Sequence, residues 1–357
     1  MMKKLLSHTN TILLCTFLLY IIVYCIHALL LQKTVYGDGV YYVNWLNIFQ
    51  ILPTNKYAIG PALLWAPFYF WGNSIVHGNV FSFPNQFILG LTSVLYAITG
   101  LIFLYRLLMK FTKPTIAAIT TSLIALATHL FFYGSIDPVN SHAVSFFAAT
   151  LFLTFLFQKQ SFLTGAALGL VTLMRPQDIL YGILLIPFIN KKMIFPLLSG
   201  FVLLFLPQMI VWFTATGNPL LSPYFTGGEK YSFFSPHIFS VLFSLQNGLL
   251  VYTPLFFISL LGYLRSWGAQ QSIKWLSGLL LLLSLYFVSI WSSWDQGASY
   301  SGRMFIGMLP VVAIALAKLL IYLAKRKFTE DLMVLTFLIP LGSINSLLIL
   351  YFLLTHQ

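Results

Sequence analysis

The chain of 357 residues carries seven acids, and five of them lie in short polar stretches between apolar runs: Asp38, Asp137, Asp178, Glu229 and Asp295. A carboxylate placed there can take the proton of a hydroxyl or amine that attacks an electrophile. An arginine can hold a phosphate with two parallel hydrogen bonds and stabilise the charge that develops as it leaves. Arg175 and Arg303 share these stretches. The combination points to group transfer from a phosphate-bearing donor.

Each stretch also has a plainer explanation. The first reads Val35-Tyr36-Gly37-Asp38-Gly39-Val40-Tyr41-Tyr42. Two glycines around an acid let the backbone turn tightly and leave the carboxylate uncrowded; a solvated turn aspartate fits equally. In Tyr133-Gly134-Ser135-Ile136-Asp137-Pro138-Val139-Asn140-Ser141-His142, Asp137 reads as a helix N-cap before a proline at the first helical position. His142, one turn inside that helix, reads as a hydrogen-bonding packer or as part of a site. Arg175 and Asp178 stand three apart and could pair to brace a broken helix. An ionisable group at membrane depth is, however, functional by default. Gly227-Gly228-Glu229-Lys230-Tyr231 and His237 follow, and the last stretch runs from Trp291 through Trp294, Asp295 and Tyr300 to Arg303. An interfacial aromatic belt explains its tryptophans; it does not explain Asp295 or Arg303.

The elements that carry these residues follow from composition. Hydrophobic residues make up 59% of the chain and charged residues 7%, against about 25% charged in soluble domains. A water-soluble enzyme, a disordered chain and a collagen-like one are all excluded. The 19 basic residues come in ones, twos and threes between apolar runs, not on the clustered face that nucleic acid requires. The fold class is therefore all-α, a polytopic integral membrane protein. A span needs about 20 apolar residues, and clear spans are expected at 11–31, 86–109, 115–132, 139–157, 193–214, 247–264, 276–292, 304–323 and 332–354. Shorter apolar pieces lie at 61–77, 161–174 and 179–190. The first run exceeds a signal-peptide core and reads as a retained span. Cys15 and Cys25 are separated by about 15 Å along it, too far for a disulfide.

Placing Lys3 and Lys4 inside fixes an alternation that puts fourteen basic residues inside and five outside, with five acids outside and two inside. The basic excess obeys the positive-inside rule, which acids influence little. In this topology 61–77 begins and ends outside, as a juxtamembrane or re-entrant element of the first outer loop, 32–85. The pieces 161–174 and 179–190 rise and return as a hairpin. Each arm covers only about 20 Å of a hydrocarbon core about 30 Å thick. About 11 spans result, in a single membrane domain over 1–357, with the N-terminus cytoplasmic and the C-terminus outside a cell (plasma or inner) membrane. No segment is polar and long enough for a soluble domain.

Taken together and in order, these stretches resemble the membrane-embedded GT-C-type glycosyltransferases. That superfamily includes the protein O-mannosyltransferases and the aminoarabinose transferases of lipid A; the chain looks closest to their uncharacterised bacterial branch. The resemblance runs through most of the chain. It rests on Gly37-Asp38-Gly39 with Tyr41-Tyr42, on Ile59-Gly60-Pro61-Ala62-Leu63-Leu64-Trp65-Ala66-Pro67-Phe68, on Tyr133-Gly134-Ser135 to His142, on Leu173-Met174-Arg175-Pro176, and on Trp294 through Arg303. It implies a polyprenyl-phosphate-linked sugar donor, an acceptor lipid, glycan or protein, and inverting transfer on the outer face of the membrane. Asp38 would be the catalytic base, Asp137 would assist the acceptor or a metal, and Arg175 or Arg303 would hold the donor phosphate. Tyr41, Tyr42, His142, Asp178, Glu229, Lys230, Trp294 and Asp295 complete the expected substrate contacts. Gly39 replaces the second acid that many members carry after the catalytic one. Only some branches use a divalent cation, so no cofactor is assigned. The alternative is a non-catalytic transporter or flippase of a lipid-linked glycan, which the absence of Asp and Glu from the spans disfavours; a purely structural membrane protein is the third.

Overall fold

The computed structural model describes residues 2–47 and 55–355. The side chains of Lys3 and Lys4, and residues 48–54 of the first outer loop, lie outside the described residues. Those described form helices and no strand. Seven helices are long and apolar enough to cross a membrane: Thr9–Leu31, Phe83–Leu108, Ser141–Gln158, Lys191–Thr216, Gly268–Ile290, Arg303–Lys325 and Glu330–Thr355. They mark a multi-pass membrane protein. Shorter apolar helices occupy Pro114–Leu126, Ser161–Met174 and Pro254–Leu264.

Two runs expected to be continuous are interrupted. Thr128 sits at one break, after the helix that ends at Leu126, where its hydroxyl donates to the Ile124 carbonyl at 2.6 Å and accepts from the Leu130 amide of the next helix at 3.2 Å. At 247–264, Pro254 has no N–H and disfavours helical backbone at the residue before it. Thr253 accordingly sits at φ −134°, ψ 67°. The piece at 179–190 also differs, because Pro176–Leu185 is a 3-10 helix.

The chain divides into two compact units. One, called here the Asp38 unit, comprises Ile21–Gly100 and Tyr133–Phe233. Its helix Ser161–Met174 lies against Lys191–Thr216 through glycines. A Cβ on Gly165 would sit 1.9 Å from the Leu197 carbonyl oxygen, and one on Gly200 2.2 Å from that of Phe162. Small residues allow such backbone approach between helices in lipid. Helix Gly60–Val76 starts equally close, since a Cβ on Gly60 would be 2.4 Å from the Leu173 carbonyl oxygen. Its first turn is thereby fixed beside Arg175.

The other, the Arg303 unit, comprises Met1–Tyr20, Leu101–Phe132 and Phe234–Gln357. Its span Arg303–Lys325 is 83% buried and Glu330–Thr355 only 17%, so the former is the centre and the latter the rim. Asn345 reaches inward from that rim helix. Its Nδ2 donates to the Leu126 and Thr128 carbonyls at 2.8 and 3.0 Å, and its Oδ1 accepts from the Tyr300 hydroxyl at 2.8 Å. Carbonyls freed where the helix breaks after Leu126 are thus satisfied, as the bilayer interior demands.

Candidate active site

Gly37 takes φ +43°, and a Cβ on Gly39 would stand 2.3 Å from the Val139 carbonyl oxygen. The first glycine makes the turn and the second presses it against the stretch that contains Asp137. Asp38 occupies the N-cap position of the short helix Gly39–Asn44, yet its side chain makes no cap hydrogen bond. Instead its Oδ1 accepts from the Tyr57 hydroxyl at 2.8 Å. Tyr57 is held in turn: its amide donates to Asn55 Oδ1 at 3.0 Å and its carbonyl accepts from Trp45 Nε1 at 3.1 Å. The Tyr57 ring stacks on Tyr41 at 4.8 Å and meets Tyr42 edge-on at 5.2 Å. Tyr42 donates its hydroxyl to Ser141 Oγ at 3.0 Å.

Tyr224 extends this aromatic group, its ring 6.2 Å from that of Tyr57. Burial pushes the Tyr224 phenol well up, helped by Tyr42, Tyr57 and Asp38 and opposed by Arg175. One neutral phenol therefore feels the Asp38 carboxylate and the Arg175 guanidinium together. Lys56 lies over the Tyr224 ring at 5.2 Å and forms an ion pair with Glu229. Lys230, the residue next to Glu229, is exposed.

Arg175 is only 5% exposed. The helix Ser161–Met174 ends at it, with φ −149° and ψ 107°, as expected before Pro176. Its Nη1 lies 3.3 Å from His142 Nδ1. With the Gln177 amide oxygen turned toward the guanidinium, Nε and Nη2 donate to it at 3.2 and 3.3 Å. His142 is buried against Tyr133, ring centroids 4.5 Å apart. Asp178 accepts from the Ser145 hydroxyl at 2.9 Å. Arg175 and Asp178 thus each have their own hydrogen-bond partner.

Asp137 is not the helix cap. Asn140 holds that position, its Oδ1 accepting from the His142 amide at 2.8 Å, and its Nδ2 donates to the Asp137 carbonyl at 2.5 Å. The Asp137 charge instead acts on Tyr36, whose phenol burial and Asp137 raise to about 12.

Comparison with known family models and with curated proteins gives no match.

In the Arg303 unit, Trp294 stacks on His237 at 4.9 Å and 19°. Asp295 behaves as a turn residue: its carbonyl accepts from Asn247 Nδ2 and its Oδ1 from the Gly297 amide at 3.4 Å. Gln296 and Gly297 both take positive φ there. Arg303 opens a 3-10 turn, Arg303–Met308.

Tyr57, Tyr224 and Ser145 join this group without any signal in their spacing; Tyr57 stands nineteen positions from Asp38. Lys56 was visible only as a basic residue on the acidic side. Among the described residues no three His, Cys, Asp or Glu side chains converge. No step is derived through a divalent cation.

Proposed function

We propose that the chain is a membrane-embedded glycosyltransferase of the GT-C kind, moving a sugar from a polyprenyl-phosphate donor to an acceptor on the outer face of the membrane. The observation that carries this reading is the run of contacts that joins Asp38 to Arg175: Tyr57 holds Asp38 and meets Tyr42, Tyr42 donates to Ser141, and the next residue, His142, stands 3.3 Å from Arg175. A base and a phosphate-binding cation are what such a transfer requires within one site. The acceptor hydroxyl gives its proton to Asp38, and its oxygen attacks the anomeric carbon. The bond from that carbon to the phosphate oxygen breaks, and the polyprenyl phosphate leaves against Arg175. Attack opposite the leaving group inverts the anomeric centre. Tyr57 orients the carboxylate, and His142 and Gln177 orient the guanidinium. Tyr41 stacks on Tyr57 and is 48% exposed, which leaves aromatic surface for a sugar ring.

The reading includes about 11 crossings, a re-entrant Gly60–Val76 and the acidic stretches outside. Dimensions support the shallow hairpin: Ser161–Met174 rises about 21 Å as an α-helix and Pro176–Leu185 about 20 Å as a 3-10 helix. A tip at that height meets a phosphate whose chain stays in the bilayer. Reconstituted protein given a donor labelled in the sugar tests the proposal. Transfer to an acceptor, or release of sugar to water, supports it; label that changes sides while still attached to the lipid would make the chain a carrier.

A further inference from the structure

A cavity in the Arg303 unit has no part in this chemistry. Its volume is about 460 Å³, in the range of small-molecule sites. Its lining includes Leu249, Leu250, Phe256, Tyr263 and Leu282, together with Lys274. Along Gly268–Ile290 it extends from Lys274 to Leu285, about 16 Å of helix.

Apolar walls alone fit any hydrocarbon. Lys274 narrows the choice. It is 7% exposed, its ammonium lies 4.7 Å from the Trp275 ring centroid, and it forms no hydrogen bond or ion pair through its side chain with a described residue. A buried cation is costly without an anion beside it. Two further cations stand at the same end of the span. Arg265 stacks on Tyr322 at 3.8 Å, and Lys318 donates to Gln270 Oε1 at 3.2 Å. No carboxylate among the described residues is within ion-pair reach of any of the three.

We propose that this cavity binds an anionic phospholipid, with an acyl chain along the apolar wall and the phosphate on Lys274. A zwitterionic lipid would fill the wall equally but bring its own cation toward three others. Basic pockets between spans hold anionic headgroups in this way. The inference is independent of the transfer reading, because it rests on the other unit and its test measures no turnover.

The test uses the full chain purified in neutral detergent with equal phosphatidylglycerol and phosphatidylcholine, and counts retained lipid by native mass spectrometry. Phosphatidylglycerol should be retained at least fivefold over phosphatidylcholine. Lys274→Gln should bring the two near parity, and Lys274→Arg should keep the preference. Gly278→Leu probes the wall: a Cβ at Gly278 meets only Tyr263 ring carbons, at 3.7 and 3.9 Å, so the backbone tolerates it while the longer side chain fills the cavity. Retention of phosphatidylglycerol should fall at least fivefold. No preference in the unaltered protein overturns the proposal, as does unchanged retention in monodisperse Lys274→Gln or Gly278→Leu. If one variant fails to fold, the other decides.

Discussion

In the Asp38 unit, charged and phenolic side chains from distant parts of the chain hold one another: Tyr57 on Asp38, Arg175 on His142, Ser145 on Asp178, Lys56 on Glu229. In the Arg303 unit, amide side chains largely repair backbone. Asn345 takes the carbonyls of Leu126 and Thr128, Asn247 takes those of Asp295 and Gly297, and Gln296 takes the Met304 amide. A side chain spent on a broken helix end is structural, because the bilayer offers that group no water. A carboxylate oriented by a phenol keeps its chemistry and has its geometry set in advance, which is what electrostatic catalysis requires. Amide side chains also satisfy backbone in the Asp38 unit, as Gln86 does for the Thr34 and Val35 amides; what marks the candidate site there is the oriented carboxylate.

The comparison is most exposed to failure at the two arginines. Arg175→Gln should lower transfer by roughly 10²–10³-fold, the scale of losing an oriented charge donor. Arg303→Gln should change it less than about 3-fold in the same assay. Equal losses would remove the distinction between the units.

Tyr57→Phe removes a hydrogen bond to a charged group, worth about 1.5–3 kcal/mol, and should cost transfer about tenfold or more with little change in melting temperature. Smallest is the contrast between the two glycines. Gly39→Ala meets the Val139 backbone and should destabilise by about 1–3 kcal/mol. Gly37→Ala has open space and should pay only for its positive φ, about 1 kcal/mol, as melting curves would show.

Apolar run length made the helical, multi-pass character legible, and five of the seven long helices both start and end within about two residues of an apolar run's expected edges. Where the expectation failed, one residue decided it: Thr128 and Pro254 interrupt runs whose hydropathy is continuous. Asp38 could be singled out because an acid between two glycines is conspicuous in a chain with so few acids. Asp137 resembled a cap because Pro138 follows it, but the helix begins later and Asn140 takes the role. Tyr57, Tyr224, Lys56 and Ser145 were not legible as partners. Their roles depend on which stretches the fold brings together, and no spacing along the chain encodes that.

The most direct measurement compares Asp38→Asn with Asp295→Asn, both purified and folded, in transfer from a labelled lipid-phosphate sugar. With Asp38 as the base, the first loses roughly 10²–10⁴-fold and the second stays within about 3-fold of the unaltered protein. Near-normal turnover in Asp38→Asn contradicts the assignment of the base and, with it, the site.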